Sequence, residues 1–342
     1  MSRRWQFALL VVGAALFALV VRQIGVAQIV QNAQAVGWVF VPVLMVYGVA
    51  YACNTAAWRF TMSPASARPS FWRTYVITVS GFSLNFVTPM VNAGGEPFRA
   101  AAVAPWLGRQ RAASSVIVHR MVHTLGLLLT WLTSLVLALV VLPKTGGLIA
   151  ALLMAALVVS ALALLVLRGH RHGILESGLD LLARVPLAGR LAARLEVRRP
   201  LLAEMDAQIA ELYHEAPGRF FGALACEYTS RVLYAAEYWL ICYGVGLPVT
   251  ATQAYLINGL ASLAMNALFF IPFELGSKEG VLYLLFKLGG LDPRVGVYTA
   301  IVSRARDMIW IAAGLTLLAV VRHRRTDDAT PTRSPAPAEA AQ

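Results

Sequence analysis

Two short runs of this chain set a carboxylate among backbone-breaking residues inside otherwise apolar sequence: Pro89-Met-Val-Asn-Ala-Gly-Gly-Glu96 and Pro272-Phe-Glu-Leu-Gly-Ser-Lys-Glu279. Proline, glycine and glutamate recur with the same seven-residue step from Pro to Glu, and each copy follows an apolar stretch carrying an asparagine, Asn85 or Asn266. Proline and glycine end or kink helices. The backbone groups they free are tolerated at membrane depth only where protein or a water-filled cavity receives them. Paired interruptions in the two halves of a membrane protein point to a transporter's binding site. The chemistry expected is therefore the binding and movement of a polar group within the bilayer. Glu96 and Glu279 could instead serve as the acid and base of an intramembrane enzyme.

More charges stand in apolar sequence, where each is expected to have a partner or a function, because a charge at a helix centre costs about 2.5–3.5 kcal/mol on insertion scales. Glu227 and Arg231, four residues apart in the run 220–245, share a helical face and could pair, whereas Glu237 has no partner in its own helix. Arg304 and Asp307 could pair likewise, leaving Arg306 on another face. Such pairs could simply hold helices in register. Together with Glu96, Arg99, Lys278 and Glu279, however, they form a set too large to be incidental. Arginine's planar fork suits bidentate hydrogen bonds to a phosphate, and the mixture of signs could hold a phosphodiester beside a polar or cationic headgroup. Arg120 is placed at a phosphate or at the membrane interface. His119 and His123, one helical turn apart, have a spacing open to a metal, but no HExxH or cysteine partner supports one, so no metal or other cofactor is expected.

Helices must position these residues. Apolar runs occupy 5–21, 36–57, 75–91, 116–142, 148–167, 220–245, 255–273, 281–288 and 295–321. Several reach the roughly 20 residues that cross a bilayer, and the short ones flank the twin motif. The expectation is an all-α polytopic membrane protein with about six to eight membrane helices. Two opposed re-entrant or broken-helix hairpins, at 75–105 and 253–290, would join them, the arrangement an inverted repeat would produce. Arg3, Arg4, Arg59, Arg68, Arg73 and Arg322 beside the spans place both termini in the cytoplasm, and Arg99, Arg109 and Arg111 are counted on the same side.

One transmembrane domain is read over 1–325, its first span a retained signal-anchor helix. A cytoplasmic amphipathic elbow interrupts it at 168–219, with Leu201, Leu202, Met205, Ile209, Leu212 and Tyr213 at helical spacing. A disordered tail follows at 326–342.

Hydrophobic residues make up 58% and charged residues 13% of the chain, against roughly 25% charged in soluble domains. Mean hydropathy is +0.66. The net charge of +12 sits in loops beside apolar spans, which points to anionic membrane lipids rather than nucleic acid. Cys53, Cys226 and Cys242 lie in apolar runs without CxxC spacing, so neither a disulfide framework nor a zinc site is expected. No Walker A or GxSxG stands out, so ATP-driven pumping by this chain alone is not expected.

Thr88-Pro-Met-Val-Asn-Ala-Gly-Gly-Glu-Pro-Phe-Arg-Ala100, the later Ile271-Pro-Phe-Glu-Leu-Gly-Ser-Lys-Glu-Gly280 and a final helix bearing Arg and Asp resemble the transmembrane region of lysylphosphatidylglycerol synthases. The likeness covers most of 5–321 and is most specific at the GGE-x-x-R element of 94–99. It implies a flippase-like domain that moves a polar lipid between leaflets, without the soluble aminoacyl-transfer domain of the full-length synthases. It also implies that Gly94, Gly95, Glu96 and Arg99 belong to a lipid headgroup site, with Glu279 as counterpart in the second hairpin. Lys278, Arg304, Arg306 and Asp307 join that site, while Glu227, Arg231 and Glu237 form an intramembrane charge network.

The functional expectation is flipping of a phosphate-bearing lipid in the bacterial inner membrane, with a separate lipid-modifying enzyme as a partner. An intramembrane transferase using a polyprenyl-phosphate donor and a non-transporting scaffold are the alternatives.

Overall fold

The computed structural model describes residues 37–62, 68–87, 94–172, 216–268 and 276–327, with isolated positions between 196 and 210. The first expected span (5–21), the 89–93 and 272–275 parts of the twin motif, nearly all of the elbow and the tail beyond 327 lie outside the described residues.

Nine α-helices and no strand are found among the described residues: α1 (Phe40–Thr61, entered through a 3-10 turn at Gly37–Val39), α2 (Phe71–Val87), α3 (Gly95–Leu107), α4 (Arg109–Val141), α5 (Gly146–His172), α6 (Pro217–Gly244), α7 (Ala251–Ala267), α8 (Ser277–Leu288) and α9 (Pro293–Asp327). This is the expected all-α membrane protein. The segments Gly37–Thr61, Arg109–Val141 and Gly146–Leu167 are each long and apolar enough to cross a bilayer. The other expected helices within the described residues form but fall short of that measure. Thus α6 and α9 carry the buried charges, and α3 and α8, with 13 and 12 residues, rise only about 18–20 Å against a ~30 Å hydrocarbon core.

The helices pack as two like-ordered sets, α1–α4 and α6–α9, with α5 lying on α4. Within each set every helix packs on the next. Between the sets α1 lies along α6, α2 packs on α9 and α7 packs on α4, so exchanging the sets maps one contact onto the other. The last two of these crossings are each closed by a glycine against a serine. A Cβ on Gly314 of α9 would collide with Ser83 of α2, and one on Gly259 of α7 with Ser134 of α4. Small residues let backbones approach where lipid supplies no hydrophobic drive to association. Matching apolar clusters fill the sets: Trp58, Leu84, Phe98 and Val103 in the first, Tyr238, Ile257, Leu282 and Phe286 in the second. In contrast, α5 leaves Leu153, Met154, Leu157 and Leu165 exposed, the face a membrane helix turns to lipid.

Two boundaries correct the sequence reading. Helix α4 starts at Arg109, a full two turns before the apolar run at 116, so Arg109 and Arg111 belong to a helix rather than a loop. Arg99 is 3% exposed within α3 and packed in the protein. It therefore cannot serve as a surface charge that marks the cytoplasmic side.

Candidate functional site

The first copy of the motif opens α3. Glu96 sits in the first turn of that helix, where backbone N–H groups favour a negative charge. The Asn85 side chain ties the break together: its Oδ1 accepts from the Gly95 N–H at 2.6 Å, and its Nδ2 donates to Glu96 Oε1 at 3.1 Å. A Cβ on Gly95 would strike the Gly81 carbonyl oxygen, so glycine is what allows this approach of α3 to α2.

One turn further, Arg99 lies over the spot where Gly81 has no side chain. Its Nη2 donates to the Thr78 carbonyl at 3.2 Å, and its guanidinium lies 4.4 Å from the Phe82 ring centroid and 5.9 Å from that of Trp58. Its Nε has no hydrogen-bond partner among the described residues, nor has Glu96 Oε2. Arg120 of α4, about half exposed, stands 3.7 Å from Glu96. Phe82, Glu96, Arg99, Val116, His119, Arg120 and His123 line a cavity of about 10 Å³, room for about one water.

Behind that cavity lies a carboxylate with no exposed surface, Glu227 of α6. Its Oε1 is 2.9 Å from His119 Nε2, and its Oε2 is 2.9 Å from both His123 Nδ1 and Asn54 Nδ2. Arg231 Nη2 reaches His123 Nε2 at 2.7 Å. The Glu227–Arg231 pair suggested by their spacing is thus replaced by a chain through His123. The reason is reach: α4 presents two imidazoles to α6 one turn apart, and they occupy the carboxylate from outside its own helix.

The second copy opens α8 through Gly276, whose φ of 78° suits glycine. Glu279 accepts two hydrogen bonds from Arg304 of α9, at 2.7 and 3.0 Å. Lys278 stands 3.5 Å from Asp307, which also bonds Arg306. Arg306 meets Glu237 through both carboxylate oxygens, at 2.7–3.0 Å, with the pair 4% and 1% exposed. The expected Arg304–Asp307 pair is therefore also corrected, since Arg304 turns to α8 and Asp307 to Lys278 and Arg306. Glu237, without a partner in its own helix as anticipated, finds one in α9.

The two clusters are joined by aromatic and amide side chains that the sequence reading did not single out. The Arg306 guanidinium lies 3.4 Å from the Tyr47 ring centroid, Tyr47 packs on Tyr234 at 4.7 Å, and the Tyr234 hydroxyl donates to Asn54 Oδ1 at 3.1 Å. A polar seam thus runs from Lys278 through α9, α1 and α6 to the cavity at Arg99. Asn54 carried the legible signal, an amide inside an apolar span. The tyrosines carried none.

Gly94 lies at the N-cap of α3, and Lys278, Glu279, Arg304, Arg306 and Asp307 gather in the second cluster rather than with Arg99. The single headgroup site expected from the sequence is in this structure two linked clusters.

The family model described as lysylphosphatidylglycerol synthase TM region matches residues 5–315. Comparison with curated proteins and with solved structures gives no match.

Proposed function

The chain belongs to the family of lysylphosphatidylglycerol synthase transmembrane regions, and from that premise we propose that it carries a phosphate-bearing lipid between the leaflets of a bacterial inner membrane. Membership ties the chain to membrane lipids; the finer reading rests on the unequal charge of the two clusters. Among the described residues of the second, Glu237, Glu279 and Asp307 stand against Lys278, Arg304 and Arg306. Among those of the first, Arg99, Arg120 and Arg231 stand against Glu96 and Glu227. The observation that carries the proposal is Arg99, a buried cation whose contacts among the described residues are a carbonyl and two aromatic faces.

A buried guanidinium that bonds no carboxylate among the described residues is costly, and an anion reaching it as this one-water cavity widens would complete it. The guanidinium, with Nε unused, can offer a phosphate the planar fork of donors such groups bind best. The acyl or prenyl chains would stay in the bilayer, reached from the lipid-facing side of the bundle. A separate lipid-modifying enzyme would supply the substrate, and the arginines beside the spans support a reading with both termini in the cytoplasm.

Translocation is favoured over an intramembrane transferase because Glu96 and Glu279 are each engaged by an arginine of their own set. An acid–base pair would need them free and converging on one bond. The reading is tested in proteoliposomes, by following the loss of fluorescence when dithionite reduces labelled phosphatidylglycerol in the outer leaflet. Wild-type protein should expose the inner-leaflet pool faster than empty vesicles, and Arg99→Ala at an unchanged melting temperature should not. Equal exposure by both proteins would refute the headgroup role of Arg99.

A further inference from the structure

His119 and His123 line the cavity at Arg99 and bracket Glu227, and neither has a part in the reading above. Hydrogen-bond logic assigns their protons. A guanidinium has no lone pair to accept with, so Arg231 donates to His123 Nε2 at 2.7 Å. That nitrogen is therefore unprotonated, His123 is neutral, and its ring proton lies on Nδ1, donated to Glu227 Oε2. Glu227 is the acceptor of three donors, His119 Nε2, His123 Nδ1 and Asn54 Nδ2. It is thereby held as a carboxylate.

His119 differs from His123. Its Nε2 proton is used by Glu227, and among the described residues nothing bonds its Nδ1. A proton arriving there makes an imidazolium without breaking any hydrogen bond of the cluster, whereas on His123 it would displace Arg231.

We propose that His119 is the proton-binding site of a proton-coupled translocator, loaded together with the anion in the adjoining cavity. The proposal rests on the translocator reading. The proton comes from water, adds to Nδ1 of His119 and leaves Nε2–H on Glu227, so the charge of the site rises by one. The charged and titratable groups around His119 are Glu96 and Arg99 from α3, Arg120 and His123 from its own helix, Glu227, Arg231 and Cys226 from α6, and Cys53 from α1. With the cavity empty, an imidazolium would stand beside Arg99 and Arg120 and repel both. With a phosphate between them, the same proton is attracted. Each ligand therefore strengthens the other by the same factor, and a downhill proton gradient could drive the lipid uphill.

The test uses the full chain in phosphatidylcholine nanodiscs, titrated with short-chain phosphatidylglycerol over a range of pH. One linked proton predicts an affinity that rises on acidification, by up to about tenfold for each pH unit. His119→Gln, which keeps a donor toward Glu227, should flatten that dependence. Calorimetry of wild type in two buffers of different ionisation enthalpy should report about one proton taken up per lipid bound, with no variant needed. Binding and leaflet exchange that are indifferent to pH would overturn proton coupling and leave translocation standing. A slope surviving in folded His119→Gln would move the proton elsewhere and overturn the assignment. No binding at any pH would overturn both readings.

Discussion

Glu279 and Arg304, 25 residues apart, meet through two hydrogen bonds at 2.7 and 3.0 Å. Glu96 and Arg120 hold the equivalent places in the first helix set, one residue closer along the chain, and stand 3.7 Å apart. The same acid, at the start of the same short helix, faces an arginine of the same following helix, yet one pair is closed and the other loose. Exposure follows the difference: Arg304 is 11% exposed and Arg120 49%.

The closed pair should matter more to the fold. Glu279→Gln removes the charge that faces the largely buried Arg304 and should cost about 1–3 kcal/mol. Glu96→Gln should cost roughly 0–1 kcal/mol, since Arg120 is solvated. Melting temperatures of the two variants in one detergent give the order. Equal losses would mean that the two pairs are alike in solution.

Glu237 and Arg306 are the most deeply buried ion pair among the described residues. Glu237→Leu alone should destabilise by about 3–5 kcal/mol, because it removes the carboxylate that takes three hydrogen bonds from a buried guanidinium and leaves that charge with Asp307 alone among the described residues. The double variant Glu237→Leu with Arg306→Met should recover much of that loss, as apolar packing replaces the pair. Thermal melts of the three proteins form the cycle. A double variant as unstable as the sum of its parts would rule out this account.

Gly81 is a way to move Arg99 without touching it. A methyl at position 81 collides with the Arg99 side chain, with its Cγ at 2.9 Å. Gly81→Ala should therefore displace the guanidinium from the cavity and lower phosphatidylglycerol exchange toward the Arg99→Ala level, while Gly222→Ala, against the edge of Phe60, should not. Mass spectrometry of co-purifying lipids should show the same loss of anionic lipid for Gly81→Ala and Arg99→Ala.

The glycine–serine crossings hold the two helix sets together. Gly314→Val should push α9 off α2 and cost about 1–3 kcal/mol of overpacking. Gly314→Ala with Ser83→Ala should be milder, since the serine oxygen it meets is gone. Detergent melting of the two variants decides this, and a Gly314→Val protein as stable as wild type would place the contact elsewhere.

Composition, the lengths of the apolar runs and the recurrence of the twin motif sufficed to establish an all-α membrane protein, most of its helices and the family. They did so because bilayer burial imposes long apolar helices, and breaks in them are written in proline and glycine. The sequence also revealed which charges had to be accounted for, since a lone Glu237 or Arg99 in apolar sequence is conspicuous by its cost. It could not supply their partners. Spacing along one helix offered Glu227 to Arg231 and Arg304 to Asp307, because i to i+4 is the only distance a sequence carries without a fold. The structure spent these charges between helices: Glu227 on two histidines of α4, Glu237 on Arg306 and Arg304 on Glu279. Which helices face each other depends on packing between segments more than a hundred residues apart, such as α1 along α6 and α2 against α9. Among the described residues, that packing decided that Arg99 lacks a carboxylate in contact and that His119 keeps a nitrogen for a proton.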